Sequence, residues 1–61
     1  MKIAIVRDTS KNVLAENIHT DLTTIELEDR TFEAIGRMHI GNGVWKVWNK
    51  DSEYLELKEV A

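Results

Sequence analysis

The side chains that most often carry out catalysis are sparse in this chain. It has 61 residues and no cysteine, which excludes disulfides and every cysteine-based zinc site. His19 and His39 are the other strong metal ligands, and they lack the close spacing of a metal-binding pair. Glu26 and Glu28 would share one face of a strand, as paired carboxylates in acid–base catalysis must. No cleft is indicated around them, so we interpret them as a solvated face and predict a non-enzymatic protein without metal or cofactor.

Both tryptophans lie in the segment GNGVWKVWN, residues 41–49. Its glycines lack the lysine and the following helix of a phosphate-binding loop, and its Asn-Gly pair favours a type I′ hairpin turn. In the strand after this turn, Trp45 and Trp48 project to opposite faces, because their positions differ by an odd number. Lys46 shares the side of Trp48, and burying a lysine is costly. We therefore predict that Trp45 faces the core and Trp48 the surface.

An outward Trp48 is the centre of a candidate interaction patch. Tryptophan is enriched at interface hot spots and also stacks on single-stranded bases. Aromatic and basic residues on nearby sheet positions complete the predicted patch, which comprises Trp48, Lys46, Tyr54, Arg37 and His39. The alternative is that the Trp48 ring only covers local surface, half-buried by Lys50, Tyr54 or a neighbouring strand. His39 is otherwise a rim histidine, and His19 is expected to serve a turn.

Alternating apolar residues and turn signals predict strands along most of the chain. The predicted strand segments are KIAIVRD (2–8), VLAENIHT (13–20), TTIELED (23–29), TFEAIGRMHI (31–40), VWKVW (44–48) and EYLELKEV (53–60). The residues DTSKN, DR, GNG and NKDS lie between them and are typical of turns. In the first segment, Ile3 and Ile5 are expected to share one face.

Two segments also fit a helix. In 31–40, Phe32, Ile35 and His39 would share a helical face, but Gly36 would cost a helix about 1 kcal/mol relative to alanine and suits a strand bulge. In 9–19 a helix would have only a narrow apolar stripe. We predict one mainly-β domain over 1–61, with five to six short antiparallel strands in a small SH3-like or OB-like barrel or a curled sheet. The alternative is an α+β fold with one helix, at about 31–40 or 9–19, on a four-stranded antiparallel sheet.

The charge and hydropathy of the chain restrict its partners. The net charge is −3 and the pI is near 5.2, with interspersed charges, which argues against a general phosphate-binding surface. No apolar run is long enough for a signal peptide or a membrane span. These features, with the absence of cysteine, predict a cytoplasmic protein without a membrane partner.

By elimination, we predict a small protein-interaction or regulatory module that binds a larger protein, or itself as a homodimer, through an exposed sheet face near Trp48. The alternative is a nucleic-acid-binding β-barrel that uses an aromatic and basic patch, including Lys50. A weaker alternative is an acidic decoy of a nucleic-acid-binding protein, which requires five glutamates to cluster: Glu26, Glu28, Glu53, Glu56 and Glu59. By association only, such small acidic chains suggest a bacterial or phage accessory protein.

Overall fold

A computed structural model describes all 61 residues and contains seven antiparallel strands. The strands are β1 (Lys2–Arg7), β2 (Val13–His19), β3 (Thr24–Glu26), β4 (Thr31–Glu33), β5 (Gly36–Gly41), β6 (Val44–Trp48) and β7 (Tyr54–Glu59). They make up 59% of the chain and there is no helix, which confirms the mainly-β prediction. The α+β alternative is wrong, because 9–19 and 31–40 form strands and turns.

The strands form an open five-stranded sheet and a separate two-stranded hairpin. The order in the sheet is β2-β1-β7-β6-β5, and the hairpin pairs β3 with β4. No ladder joins β2 to β5, so the closed SH3-like or OB-like barrel does not form. The physical reason is that the β3–β4 hairpin leaves the ladder and covers one side of the sheet instead of closing it.

The predicted strand 31–40 is divided between these two units. β4 pairs with β3 and β5 pairs with β6, and the change of partner falls at Ala34 and Ile35. The N–H of Ala34 donates to the Thr23 carbonyl, whereas the N–H of Ile35 donates to the Trp48 carbonyl, both at 2.8 Å. Adjacent residues therefore bond to different units, and seven strands form where five to six were expected.

The core lies between the hairpin and the facing side of the sheet, called here the inner face. Its ten buried residues come from both layers: Ile3, Val6, Ala15, Leu22, Ile25, Leu27, Phe32, Val47, Leu55 and Leu57. Ile25 and Phe32 lie opposite each other in the hairpin and are almost completely buried. Alternation then turns the threonines and glutamates of β3 and β4 to solvent. The hairpin is thus an amphipathic cover for one face of the sheet.

The first strand buries a different set of residues from the one predicted. Ile3 and Val6 are fully buried, whereas Ile5 is only half-buried. The expectation that Ile3 and Ile5 share a face is wrong, because the β1–β7 ladder shifts register between them. A one-residue shift moves the side chains beyond it to the other face.

The turn of the β5–β6 hairpin is the one that the sequence predicts. Asn42 and Gly43 have φ values of 54° and 73°, as the central residues of a type I′ turn require. The longer β1–β2 and β6–β7 loops share a different hydrogen-bond pattern. In each, a side-chain oxygen, from Asp8 or Asn49, accepts the backbone N–H groups two and four residues ahead at 2.9–3.0 Å. Such bonds make Asp and Asn frequent in turns.

The connection from β2 to β3 leads the chain from the sheet to the hairpin. Asp21 Oδ1 accepts the hydroxyl and N–H groups of Thr23 and the N–H of Thr24. These donors stabilise the carboxylate and lower the pKa of Asp21 from 3.8 to about 2. The buried Thr20 hydroxyl donates to the Thr24 carbonyl at 2.6 Å and accepts the N–H of Leu22. The entry to the hairpin is therefore held by side-chain hydrogen bonds.

Candidate functional site

The candidate site lies on the side of the five-stranded sheet that the hairpin does not cover, called here the outer face. The strand registers arrange its side chains in three rows across the sheet. The first row is Gly36, Trp48 and Tyr54, the second is Met38, Lys46, Glu56, Arg7 and Val13, and the third is Val44, Lys58, Ile5 and Glu16. No second layer packs on these rows, so the surface combines aromatic, aliphatic and charged groups in the open.

The first row is an aromatic pair resting on a glycine. The indole of Trp48 lies so close to Gly36, its cross-strand partner, that a Cβ atom at that position would overlap the ring. On its other side Trp48 faces Tyr54, with ring centroids 6.0 Å apart and an angle of 36° between the planes. Close aromatic pairs contribute to stability beyond the area they bury, and an aromatic ring over a strand glycine is a recurrent sheet device. Trp48 is therefore held in place although its outer surface is open.

The ammonium group of Lys46 adds a positive charge beside this pair. Its Nζ lies 4.5 Å from the centre of the Tyr54 ring, in the geometry of a cation–π contact. Glu56 is the cross-strand neighbour of Lys46, but its carboxylate pairs with Lys11 at 3.4 Å. No carboxylate lies within 4 Å of Lys46. Its charge is thus available to a partner.

The structure brings together three of the five predicted patch residues. Trp48, Lys46 and Tyr54 are neighbours on the outer face, as predicted. Arg37 and His39 project to the inner side at the β5 edge. The Nε of Arg37 donates to the Leu22 carbonyl at 3.3 Å, and the His39 ring lies 4.7 Å from that of Trp45.

A register shift in the β5–β6 ladder causes this separation. An uninterrupted ladder from the Asn-Gly turn would pair Arg37 with Trp48 and His39 with Lys46. The observed ladder shifts by one residue between His39 and Gly41. Arg37 then lies opposite Val47, and His39 lies opposite Trp45. A one-residue shift exchanges the faces of all side chains beyond it.

The other sequence-predicted residues have mainly structural positions. Trp45 packs against the core, as predicted, and its Nε1 donates to Glu59 Oε2 at 2.8 Å. His19 ends β2 and is exposed, and the turn hydrogen bonds expected near it come from Thr20 and Asp21. Sequence reasoning missed Gly36 as the support of Trp48. Its position in a strand pattern was visible, but its partner strand and register were not.

Charge is distributed unevenly between the two layers. Residues 20–35, which contain the hairpin, carry five carboxylates and one guanidinium, whereas the rest of the chain carries seven basic and six acidic residues. The acidity of the protein is therefore concentrated on the hairpin side. The outer face has three basic residues, Arg7, Lys46 and Lys58, against Glu16 and Glu56. An acidic molecule would meet less repulsion there than the net charge of −3 suggests.

The five glutamates of the decoy hypothesis do not share a surface. Glu26 and Glu28 lie on the hairpin, and Glu53, in the β6–β7 loop, is bound by Arg30 of the β3–β4 turn. Glu56 belongs to the outer face, and Glu59 accepts the indole N–H of Trp45. The glutamates on the hairpin side are therefore separated from Glu56 on the outer face, and the carboxylate of Glu59 is used within the chain.

The concave regions of the surface are small. A depression of about 120 Å³ lies beside Lys46 and Tyr54, where Asp8, Thr9 and Glu56 also line it. A groove of about 240 Å³ runs between β4 and the β6–β7 loop and is lined by residues of both charges. Small-molecule sites usually enclose roughly 300–1,000 Å³. Both features are smaller than such sites.

The chain matches no protein-family model, no curated protein and no solved structure. The structure contains no group of three or more histidine and acidic side chains that could hold a metal ion. It also has no helix of the length and apolarity needed to cross a membrane. The candidate site is accordingly defined by geometry: an uncovered sheet face with Trp48, Tyr54 and Lys46 grouped at one end.

Proposed function

We propose that this protein is a small, non-enzymatic interaction module that binds a larger protein through its outer face. The observation that carries the proposal is the half-buried Trp48, which lies over Gly36 and beside Tyr54 on a sheet face without a cover. Tryptophan and tyrosine dominate the energetics of protein interfaces when they form a compact cluster. In the same proposal, the module acts in the cytoplasm, where a cysteine-free chain is ordinary.

The way Trp48 is held supports binding as well as folding. Immobilising a flexible side chain at an interface costs free energy, and a side chain that is already ordered avoids this cost. Contacts with Gly36 and Tyr54 fix the indole before any partner arrives. Lys46 then offers an unpaired charge at the rim of the aromatic pair, where it can select an acidic group.

Affinity capture from the native cell extract tests the proposal. Immobilised wild-type protein is compared with Trp48→Ala and with Ile35→Ala. The control truncates a side chain that is 66% exposed but lies outside the three rows of the outer face. We expect a protein partner to be retained by wild type and Ile35→Ala and lost by Trp48→Ala. Equal retention by all three would show that the outer face is not the binding surface.

A second variant separates recognition from folding. Trp48→Ala removes packing as well as a contact surface, so its thermal unfolding must be measured beside wild type. Lys46→Glu reverses a charge on the outer face without removing a buried group. It is expected to remain folded, with the small loss of stability that follows removal of the cation–π contact, and to bind the captured partner more weakly. Unchanged binding by a folded Lys46→Glu would exclude Lys46 from the interface.

A nucleic-acid partner is the second candidate, favoured by the basic residues that surround the aromatic pair. Bases stack on aromatic rings, and Arg7, Lys46 and Lys58 could contact phosphates. Fluorescence anisotropy with a labelled oligothymidine strand tests this candidate. Phosphate-driven binding weakens steeply between about 50 and about 200 mM salt. Salt-sensitive binding that is lost in Trp48→Ala would favour nucleic acid over a protein partner.

A further inference from the structure

β5 is a free edge of the five-stranded sheet, and its exposed side chains alternate in chemistry. Met38 and Ile40 are apolar and remain 51% and 49% exposed. Arg37 precedes Met38, and His39 lies between Met38 and Ile40. Both basic side chains are also exposed, and they project to the inner side. A strand bonded to this edge would therefore lie beside aliphatic groups on one face and basic groups on the other.

We infer that β5 accepts an added β-strand from a protein partner whose sequence alternates apolar and acidic residues. Backbone hydrogen bonds to an open sheet edge provide affinity, and alternate side-chain neighbours provide specificity. Apolar residues of the partner would extend the outer face beside Met38, and acidic residues would lie beside Arg37 and His39. The inference rests on the proposed binding function and specifies the class of partner.

The two basic side chains of β5 lack acidic partners within the chain. Neither Arg37 nor His39 has a carboxylate within 4 Å. Arg37 uses Nε to bond the Leu22 carbonyl, and its two terminal nitrogens make no hydrogen bond. These nitrogens can hold a carboxylate in a bidentate pair, which is stronger and more directional than a single hydrogen bond. An acidic residue on the added strand supplies that carboxylate.

The opposite edge of the sheet is less suited to strand addition. β2 contains Asn17 with a φ of 53°, a left-handed conformation that interrupts the extended backbone. It also carries the exposed carboxylate of Glu16. Irregular backbone and charge are common means by which proteins block sheet edges. β5 is regular from Gly36 to His39, so the added strand is expected to pair over about this length.

A second copy of this chain fits the β5 edge poorly. Antiparallel pairing of two β5 strands would place Arg37 and His39 of both copies on the same side, and β5 contains no carboxylate to separate them. Like charges on facing strands are destabilising. The alternation in β5 therefore favours an acidic partner over a symmetric dimer.

Synthetic peptides test this inference directly. The probe is an acetylated and amidated peptide, Thr-Val-Glu-Val-Glu-Val-Thr, titrated into isotope-labelled protein and followed by backbone amide NMR. Its matched control replaces both glutamates with lysine. We expect the acidic peptide to shift the amide signals of β5 and to bind about tenfold more tightly than the lysine peptide. The backbone N–H groups of a strand point alternately to its two edges. N-methylation of the peptide nitrogens on the edge that pairs with β5 should abolish binding, whereas N-methylation on the other edge should not.

Charge reversal at Arg37 makes the test specific. Arg37→Glu should weaken the acidic peptide and strengthen the lysine peptide, whereas Lys50→Glu, the same charge change in the β6–β7 loop, should leave their order unchanged. Equal effects of the two variants would overturn the inference. The inference would also be overturned if sedimentation showed that the wild-type protein is a dimer and that Arg37→Glu is a monomer. If Trp48→Ala loses the cellular partner while the peptide fails to shift β5, the outer-face function stands and strand addition is excluded.

Discussion

The inner and outer faces of the five-stranded sheet are built from the same strands and differ in what covers them. β6 and β7 turn Val47 and Leu55 inward, where both are almost fully buried, and turn Lys46 and Glu56 outward. The inner face is covered by the β3–β4 hairpin and consists mainly of aliphatic and aromatic groups in close contact, with Arg37 and His39 exposed at its β5 edge. The outer face has one aromatic pair, Trp48 and Tyr54, which is fixed by its contacts and lies among charged side chains. We infer that the inner face determines stability and that the outer face can vary for recognition.

The short chain explains why only one face is covered. A domain of about 60 residues buries roughly 60% of the surface of its extended chain, so it has little material for a second layer. Here residues 20–35 supply the single cover, and every longer strand belongs to the sheet. The uncovered face is thus a consequence of size, and the binding that we propose for it would not disturb the core.

The largest expected effect is on the inner face. Phe32→Ala should destabilise the protein by about 3–5 kcal/mol, because it leaves a cavity beneath the hairpin. The total stability of a 61-residue domain is about 3–9 kcal/mol, so the variant should be largely unfolded or close to it. Urea unfolding followed by circular dichroism measures this change. Thr24→Ala, on the exposed side of the same hairpin, is the control, and equal stability of the two variants would contradict the comparison.

The second effect concerns Gly36, where the outer face does contribute to stability. Gly36→Ala should cost about 1–3 kcal/mol, because its Cβ overlaps the Trp48 ring. A double-mutant cycle with Trp48→Ala isolates the cause, since removal of the ring should remove most of the cost. Additive effects of the two substitutions would mean that glycine is required by the backbone conformation at this position and not by contact with the indole.

A smaller effect is expected at Lys46. Lys46→Met removes the charge above the Tyr54 ring and should cost about 0.5–1 kcal/mol, the usual range for an exposed cation–π contact. The same substitution in a Tyr54→Leu background should have no measurable cost. A loss of stability as large as that of Gly36→Ala would show that the outer face contributes more to folding than we infer.

The smallest effect lies between the two layers, at Asp21. Its folded-state pKa of about 2 lies below the ordinary 3.8, so its contribution to stability is present above about pH 4 and is lost as pH falls toward 2. Thr23→Val keeps the side-chain shape and removes the hydroxyl donor. Titration of the carboxyl by NMR should then show the Asp21 midpoint moving up toward 3.8. A midpoint that stays near 2 would assign the low pKa to the backbone donors alone.

Some of these features follow from local sequence. The Asn-Gly pair determines a type I′ turn because few other residues accept two successive positive φ values. The odd spacing of Trp45 and Trp48 separates them in any regular strand. These two facts, with the cost of burying Lys46, are sufficient to orient both rings, and they involve residues close together in the chain.

Other features depend on pairings that the local sequence does not determine. The division of 31–40 arises because β4 bonds to the preceding strand β3 while β5 bonds to the following strand β6, so two neighbouring hairpins divide one alternating segment. The register shift after His39 depends on how the whole ladder packs, and it moved Arg37 and His39 away from the predicted patch. Propensity and periodicity are evaluated within one segment, so they could not identify Gly36 as the partner of Trp48.

The register shift at Ile40 also has an evolutionary consequence. Ile40 is the extra residue of this ladder, between the His39–Trp45 and Gly41–Val44 pairs. Its deletion would join these pairs into an uninterrupted ladder and leave Arg37 opposite Val47 and Gly36 opposite Trp48. A loss of three nucleotides would therefore remove an exposed apolar side chain and make the β5 edge regular along its whole length. The lineage can alter this edge in one step, without changing the partner of Trp48 or any residue of the core.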